Sequence, residues 1–281
     1  MPACQDGTER MSDPRPVITF LSDYGVQDDF VGICHGVIAR ICPDAKVIDL
    51  THGVPRHDVY AGALILEGAL PYLPVGVHLA VVDPDVGAAR RAVAIRAADD
   101  RVLVGPDNGL LSLAAVRAGG VVEAVDIAQS RFRLEPVSAT FHGRDIFAPV
   151  AAHLAAGEPL AAAGVPCDPD GLVRLTLPEP ELSDGVVIAH ALYVDRFGNV
   201  GLNMSHEDLA KLGFKIGRSV RLQLPGGEFQ MTYARTFADV PEGEFLAYED
   251  AYQRLAIAIS HGNAAQRLGL AAGDALRVTV P

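Results

Sequence analysis

Two aspartates directly follow short apolar runs: Asp23 comes after Val17–Leu21, and Asp83 after Val77–Val82. In an open α/β sheet, ligands gather where strands end at their carboxyl edges. A carboxylate there accepts both hydroxyls of a ribose in charge-assisted bonds. It equally caps a turn or a helix start, and residue type leaves both readings open. In Asp83-Pro84-Asp85-Val86-Gly87-Ala88-Ala89-Arg90, Pro84 and Gly87 make a turn that lets Arg90 fold back towards Asp83. Such a pair is either a structural ion pair or a device that keeps the carboxylate ionised and orients a third group. His142, in Thr140-Phe141-His142-Gly143-Arg144-Asp145, is a candidate third group. Its imidazole has an unperturbed pKa of about 6.5 and so shuttles protons near neutrality; a structural histidine is the alternative. Further along, Asp195-Arg196-Phe197-Gly198-Asn199 offers a ring for stacking on a purine and an amide for reading its edge, or it is a plain hairpin. Glycine-rich phosphate loops are absent, which argues against a phosphate-tailed nucleotide, and no His-x-His or His-Glu-x-x-His pattern suggests a metal.

The elements that must position these groups fall into two regimes. From Val17 to Ala155, short strands that are apolar on both faces alternate with helical patterns. Strands are expected at Val17–Leu21, Lys46–Leu50, Val77–Val82, Ala92–Ile95 and Val102–Val104. Helices are expected from Phe30 to Ile41, Val59 to Leu70, Leu110 to Val116 and Ile146 to Ala155. That alternation predicts an α/β layer architecture, a sheet covered by helices. Beyond Leu177-Pro178-Glu179-Pro180-Glu181 the chain is mostly strands and turns, and a small antiparallel barrel or sandwich is expected. The expected boundaries are a loose tail at 1–15, an α/β domain at 16–176, a linker at 177–184 and a β domain at 185–281. Within the last, strands are expected at Val186–Val194, Ser219–Leu224, Glu228–Tyr233, Phe245–Tyr248, Leu255–Ile259 and Ala275–Val280.

Composition excludes several classes. With 35 Asp and Glu against 23 Lys and Arg, the net charge of −12 speaks against a nucleic-acid surface or attraction to anionic lipid. No apolar run reaches the roughly 18 residues of a membrane span, and Met1–Arg15 lacks the apolar stretch of a signal peptide. A soluble, cytoplasmic protein is expected. Cys4, Cys34, Cys42 and Cys167 form no Cys-x-x-Cys pair and are read as incidental or buried thiols.

Taken in order, these segments resemble a known family, the S-adenosyl-methionine hydroxide adenosyltransferases, relatives of fluorinases and chlorinases. The likeness runs from Ile18 to Val280. It rests on Ser22-Asp23-Tyr24-Gly25 with Asp28 and Asp29, Asp49-Leu50-Thr51-His52, Asp58, Asp83-Pro84-x-Val86-Gly87 and Pro106-Asp107-Asn108-Gly109-Leu110. It continues through Thr140–Asp145, Phe197-Gly198-Asn199-Val200 and Asn263-Ala264-Ala265. The resemblance implies an α/β N-terminal domain, a β-barrel C-terminal domain and a homotrimer with sites between subunits. It implies hydrolysis of S-adenosyl-L-methionine to adenosine and methionine, without a cofactor. Asp83, Arg90 and His142 match the water-handling set, and Asp23 matches the ribose ligand. Asp28, Asp195, Phe197, Asn199 and Ala265 fall among the matching substrate-binding segments. The fluorinase branch carries Tyr in place of Asp83 and Tyr-Ser in place of His142-Gly143, so the resemblance points to water as the nucleophile. Two departures stand out: Asp85 where the family usually has Gly, and Asp250-Ala251-Tyr252 where a Ser-containing turn is usual. An adenosyl-halide synthase and a non-catalytic adenosine or S-adenosyl-methionine sensor are the alternatives.

Overall fold

The computed structural model describes residues 15–183 and 186–279, in two compact units that divide between Leu175 and Thr176. Cys4 and the expected tail before Arg15 lie outside the described residues. So do Asp184 in the expected linker and Val280 at the end of the expected last strand.

The first unit runs β1 (Val17–Ser22), α1 (Phe30–Ile41), β2 (Lys46–Thr51), α2 (Val59–Ala69), β3 (Val77–Val81), β4 (Ala92–Ala97), β5 (Val102–Pro106) and α3 (Ser112–Arg117). It continues with β6 (Val121–Asp126), α4 (Ala148–Ala155), α5 (Leu160–Ala163) and β7 (Val165–Pro166). One sheet has the order β2-β1-β3-β5-β4-β6-β7, parallel from β2 to β5 and antiparallel beyond. The switch is forced at the link between β4 and β5. Residues 98–101 are too few for a crossover, and Asp100 takes a left-handed φ of 67° in that turn. Successive residues of each strand feed opposite cores. Phe20 and Leu79 pack with Cys34, Ile38 and Val150, whereas Leu21 and Ala80 pack with Leu66, Leu70 and Leu110. Both faces of the central strands are therefore covered, which is why β3 is buried along its whole length.

The second unit contains β8 (Glu181–Ser183), β9 (Val186–Val194), β10 (Val200–Ser205), α6 (His206–Lys211), β11 (Ser219–Leu224), β12 (Gly227–Tyr233), β13 (Phe245–Glu249), β14 (Arg254–Ile259), α7 (Ala264–Leu268) and β15 (Ala275–Thr279). Strands β9, β10, β14, β13, β12, β11 and β15 close into a seven-stranded barrel through the β9–β10 pairing. The α/β unit followed by a β-barrel is the architecture expected from the sequence. One pairing, β12 with β13, is parallel where the antiparallel reading would have none. The stretch read as linker contributes β8, which pairs antiparallel with β9. Among the described residues no helix is long and apolar enough to cross a membrane.

His78, fully buried on β3, is bonded through Nδ1 to Thr19 Oγ1 at 2.9 Å across the β1–β3 pair. Burial, reinforced by Arg101, lowers its pKa from 6.5 to about 4. The unfolded chain therefore takes up a proton below pH 6.5 that the folded chain refuses until about pH 4. Stability should fall by roughly 3 kcal/mol across that window. Chemical denaturation at stepped pH would show this loss in the wild type and a smaller one in a His78→Gln chain.

Candidate active site

Asp23 and Asp83 leave the carboxyl ends of β1 and β3, adjacent parallel strands in which Ser22 pairs with Val81. The next polar residues therefore emerge side by side. Beyond Asp83 the backbone turns twice, with Val86 N donating to Asp83 O at 3.3 Å and Ala88 N to Asp85 O at 3.0 Å. Gly87 is required in this turn: its φ is 81°, and a Cβ would stand 2.5 Å from the Ala139 carbonyl oxygen. The turn returns Arg90 to Asp83. Arg90 Nε donates to Asp83 Oδ1 at 2.9 Å, and Nη2 donates to Asp83 Oδ2 and, at 2.9 Å, to His142 Nδ1. The two charged side chains are 9% and 6% exposed, and the guanidinium lies 5.2 Å from the Phe147 ring centre.

This set fixes chemistry that residue type left open. A guanidinium only donates, so His142 Nδ1 accepts, and the neutral imidazole carries its proton on Nε2. Burial first, then the Arg90 charge, holds the His142 pKa below its usual value. His142 stands at the head of a single widened helical turn, Gly143–Phe147, that leads into α4. Asp23 Oδ2 accepts from the His57 N–H at 3.0 Å. Asp23, Asp28, Asp83 and His142 line one cleft of about 400 Å³, together with Tyr24, Phe30, Arg56, His57, Val81, Val86, Thr140 and Gly143.

Of these, Tyr24, Arg56, His57 and Thr140 have no role that the sequence alone assigns. His57 contributes a backbone N–H from a left-handed φ of 65°, which its residue type does not announce. Tyr24 and Gly143 are a steric pair: a Cβ on residue 143 would fall 2.0 Å from the Tyr24 hydroxyl oxygen and 3.0 Å from Cζ. The Tyr24 ring is held edge-on by Phe20 and Phe141, and burial raises its pKa well above 10. The hydroxyl thus stays neutral and fills the space a side chain at 143 would need.

In the second unit Asp195 organises the turn between β9 and β10. Its Oδ1 accepts from the N–H groups of Phe197 at 2.8 Å and Asn199 at 2.9 Å, and Oδ2 accepts from Asn199 Nδ2 at 2.7 Å. The Asp195 carboxylate is therefore spent largely on the loop itself. Phe197 is 66% exposed and Asn199 is buried, and both line a pocket of about 450 Å³ with Phe237, Ile259, His261 and Gly262. Ala265 is buried in α7, and its N–H binds the Gly198 carbonyl at 2.9 Å, so it braces the turn and does not line that pocket.

Residues 18–164 match the model of the SAM hydroxide adenosyltransferase N-terminal domain, and residues 189–277 match that of the C-terminal domain. The chain belongs to this family. It is 52% identical over 268 residues to an (R)-S-adenosyl-L-methionine hydrolase of Salinispora tropica, covering 95% of this chain and 98% of that protein. It is 40% identical to a protein of the same name from Thermus thermophilus (94% of this chain, 99% of the relative). A fluorinase from Nocardia brasiliensis is 32% identical, with 95% and 97% covered. The solved structure of an uncharacterized conserved protein from Thermotoga maritima superposes with a TM-score of 0.88 at 37% identity, over 93% of this chain and 99% of the other.

A Gly143→Ala chain should lose about 1–3 kcal/mol to overpacking against Tyr24. Adding Tyr24→Phe removes the atom 2.0 Å away and leaves the 3.0 Å contact, so it should restore most of that loss. Thermal unfolding of both single variants and the double variant checks this; additive losses would mean that the two residues do not compete for space.

Proposed function

We propose that this member of the family hydrolyses S-adenosyl-L-methionine to adenosine and L-methionine, by attack of water on the ribose 5′ carbon. The observation that carries the reading is the joined Asp83–Arg90–His142 set, opening into the same cleft as Asp23. The relatives named as hydrolases support the substrate. In this reading Asp23, with one carboxylate oxygen held by His57 N–H, keeps the other for the ribose hydroxyls. Phe197 and Asn199 serve the adenine and methionine portions, with Asp195 and Ala265 holding their loop.

The neutral His142 donates from Nε2 to the water oxygen, and Asp83 accepts a hydrogen bond from the same water. The oxygen–C5′ bond forms as the C5′–sulfur bond breaks, and the bonding pair leaves with sulfur as a neutral thioether. The attacking oxygen becomes strongly acidic as it bonds to carbon, so its proton passes to Asp83 and then to solvent. The sulfonium is already an activated leaving group, so no step calls for a metal or cofactor. Positioning carries most of the rate, with the proton acceptor contributing about 10²–10⁴-fold. A homotrimer with sites between subunits and a cytoplasmic location belong to the same proposal; light scattering on the purified protein tests the first.

Incubation of the pure protein with S-adenosyl-L-methionine should yield adenosine and methionine in equal amounts. Formation of 5′-halo-adenosine in chloride or fluoride would move the protein to the halogenase branch, and tight binding without turnover would make it a sensor. Asp83→Asn should lower kcat about 10²-fold or more with a small change in KM. Because the His142 pKa is depressed, kcat should rise with pH through a midpoint below 6.5 and then level off. A His142→Gln enzyme should lack that acidic limb.

A further inference from the structure

Away from the reaction cleft, three metal-ligating side chains converge. His35 on α1, Asp49 on β2 and His52 just beyond β2 place their ligand atoms within 4.8 Å of one another. None of the three lines the cleft that holds Asp83. His52 is 6% exposed, and its ring is fixed on two sides: Nδ1 is bonded to Ser22 Oγ at 2.8 Å, and Phe20 packs edge-on at 4.7 Å between ring centres. Its Nε2 is buried without a hydrogen-bond partner, although Asp49 Oδ1 lies 3.0 Å away, because the ring nitrogen does not point along that line. Asp49 Oδ1 also meets His35 Nε2 at 2.8 Å.

We propose that His35, Asp49 and His52 form a binding site for a divalent transition ion of the zinc class. Groups that share an ion stand close together with no hydrogen bond joining them, and His52 Nε2 stands in that relation to Asp49 Oδ1. A histidine ligand is normally oriented by a hydrogen bond at its other ring nitrogen, and Ser22 Oγ occupies that place here. Two imidazoles and one carboxylate suit Zn²⁺, Co²⁺ or Ni²⁺ and do not suit Mg²⁺ or Ca²⁺. Bond lengths of about 2.0–2.2 Å require the ligand atoms to separate by a few tenths of an ångström from their present spacing. The His35 and Asp49 side chains, 36% and 41% exposed, have the freedom to do so and leave a coordination position open to water. The ion would tie α1 and β2 to Ser22, the residue before Asp23, and so clasp the turn that carries the ribose carboxylate. It takes no part in the reaction proposed above.

The test uses tag-free full-length protein stripped with chelator and dialysed, with Co²⁺ as an optical probe and Zn²⁺ in calorimetry. One ion per chain with a micromolar or tighter Kd is expected, displaced from Co²⁺ to Zn²⁺, together with a rise in Tm on adding Zn²⁺. His35→Ala and Asp49→Ala, both at partly exposed positions, should each weaken binding at least tenfold and abolish the Tm rise. His206→Ala, on the second unit, should change neither. No saturable binding to the wild type, or binding left intact in both site variants, overturns the proposal. These readouts do not depend on turnover, so they stand apart from the fate of the hydrolase reading.

Discussion

Arg90 carries a permanent charge on a side chain that is almost fully withdrawn from water, and such a charge is tolerated only when its donors are met. Asp83 takes two of them and His142 Nδ1 another, while Phe147 covers the guanidinium face. Much of the cleft follows from this pairing. Asp83 is held by both oxygens, so its free lone pairs point in a fixed direction. His142 is confined to one tautomer and presents a donor to the cleft. The turn from Asp83 to Arg90 must be tight enough to close the pair, and Gly87 is the residue that lets it pass under Ala139. Removing either partner would leave the other charge buried and unmet.

The sheet supplies what the pair cannot, a second carboxylate at the same edge. Adjacent parallel strands end at the same edge, so β1 and β3 deliver Asp23 and Asp83 together. Because both faces of these strands are packed, their residues are mostly apolar, with Thr19, His78 and Ser22 buried only as hydrogen-bonded groups, and the edge is where polar groups meet solvent. Tyr24 then sets the shape of the space: its hydroxyl stands where a side chain on residue 143 would be, so a larger residue at one position demands a smaller one at the other. In the barrel, Asp195 does for its loop what Arg90 does for the cleft. One carboxylate satisfies two backbone donors and an amide, and the turn they define projects Phe197.

Several elements escaped the sequence reading for identifiable reasons. Strand β10 contains Gly201 and Asn203, poor strand formers, yet Gly201 is needed because the Tyr193 ring lies across it; a Cβ would be 2.3 Å from Cζ. Helices α6 and α7 are too short to show a helical periodicity, although Ser205 with Asp208 forms a capping box and Asn263 caps the other. The Pro/Glu segment looked like a linker because its composition favours no structure, but β9 offers a free edge for it to pair with as β8. Ala265 was placed with the substrate-binding residues by resemblance, and its local role is a backbone bond to the turn.

Family resemblance added His142 to the Asp83–Arg90 pair; residue order by itself determined the alternation of α and β, the two-part division and the turn that returns Arg90 towards Asp83. These depend on local periodicity and on turn chemistry, which neighbouring residues decide among themselves. Only the tertiary structure decided that the three are bonded through one guanidinium, that the His142 proton sits on Nε2, and that Tyr24 and Gly143 share one volume. It alone brought His35, Asp49 and His52 together. Each of these depends on atoms far apart in the chain, and their spacing is set by strand register and helix packing, which no local pattern encodes.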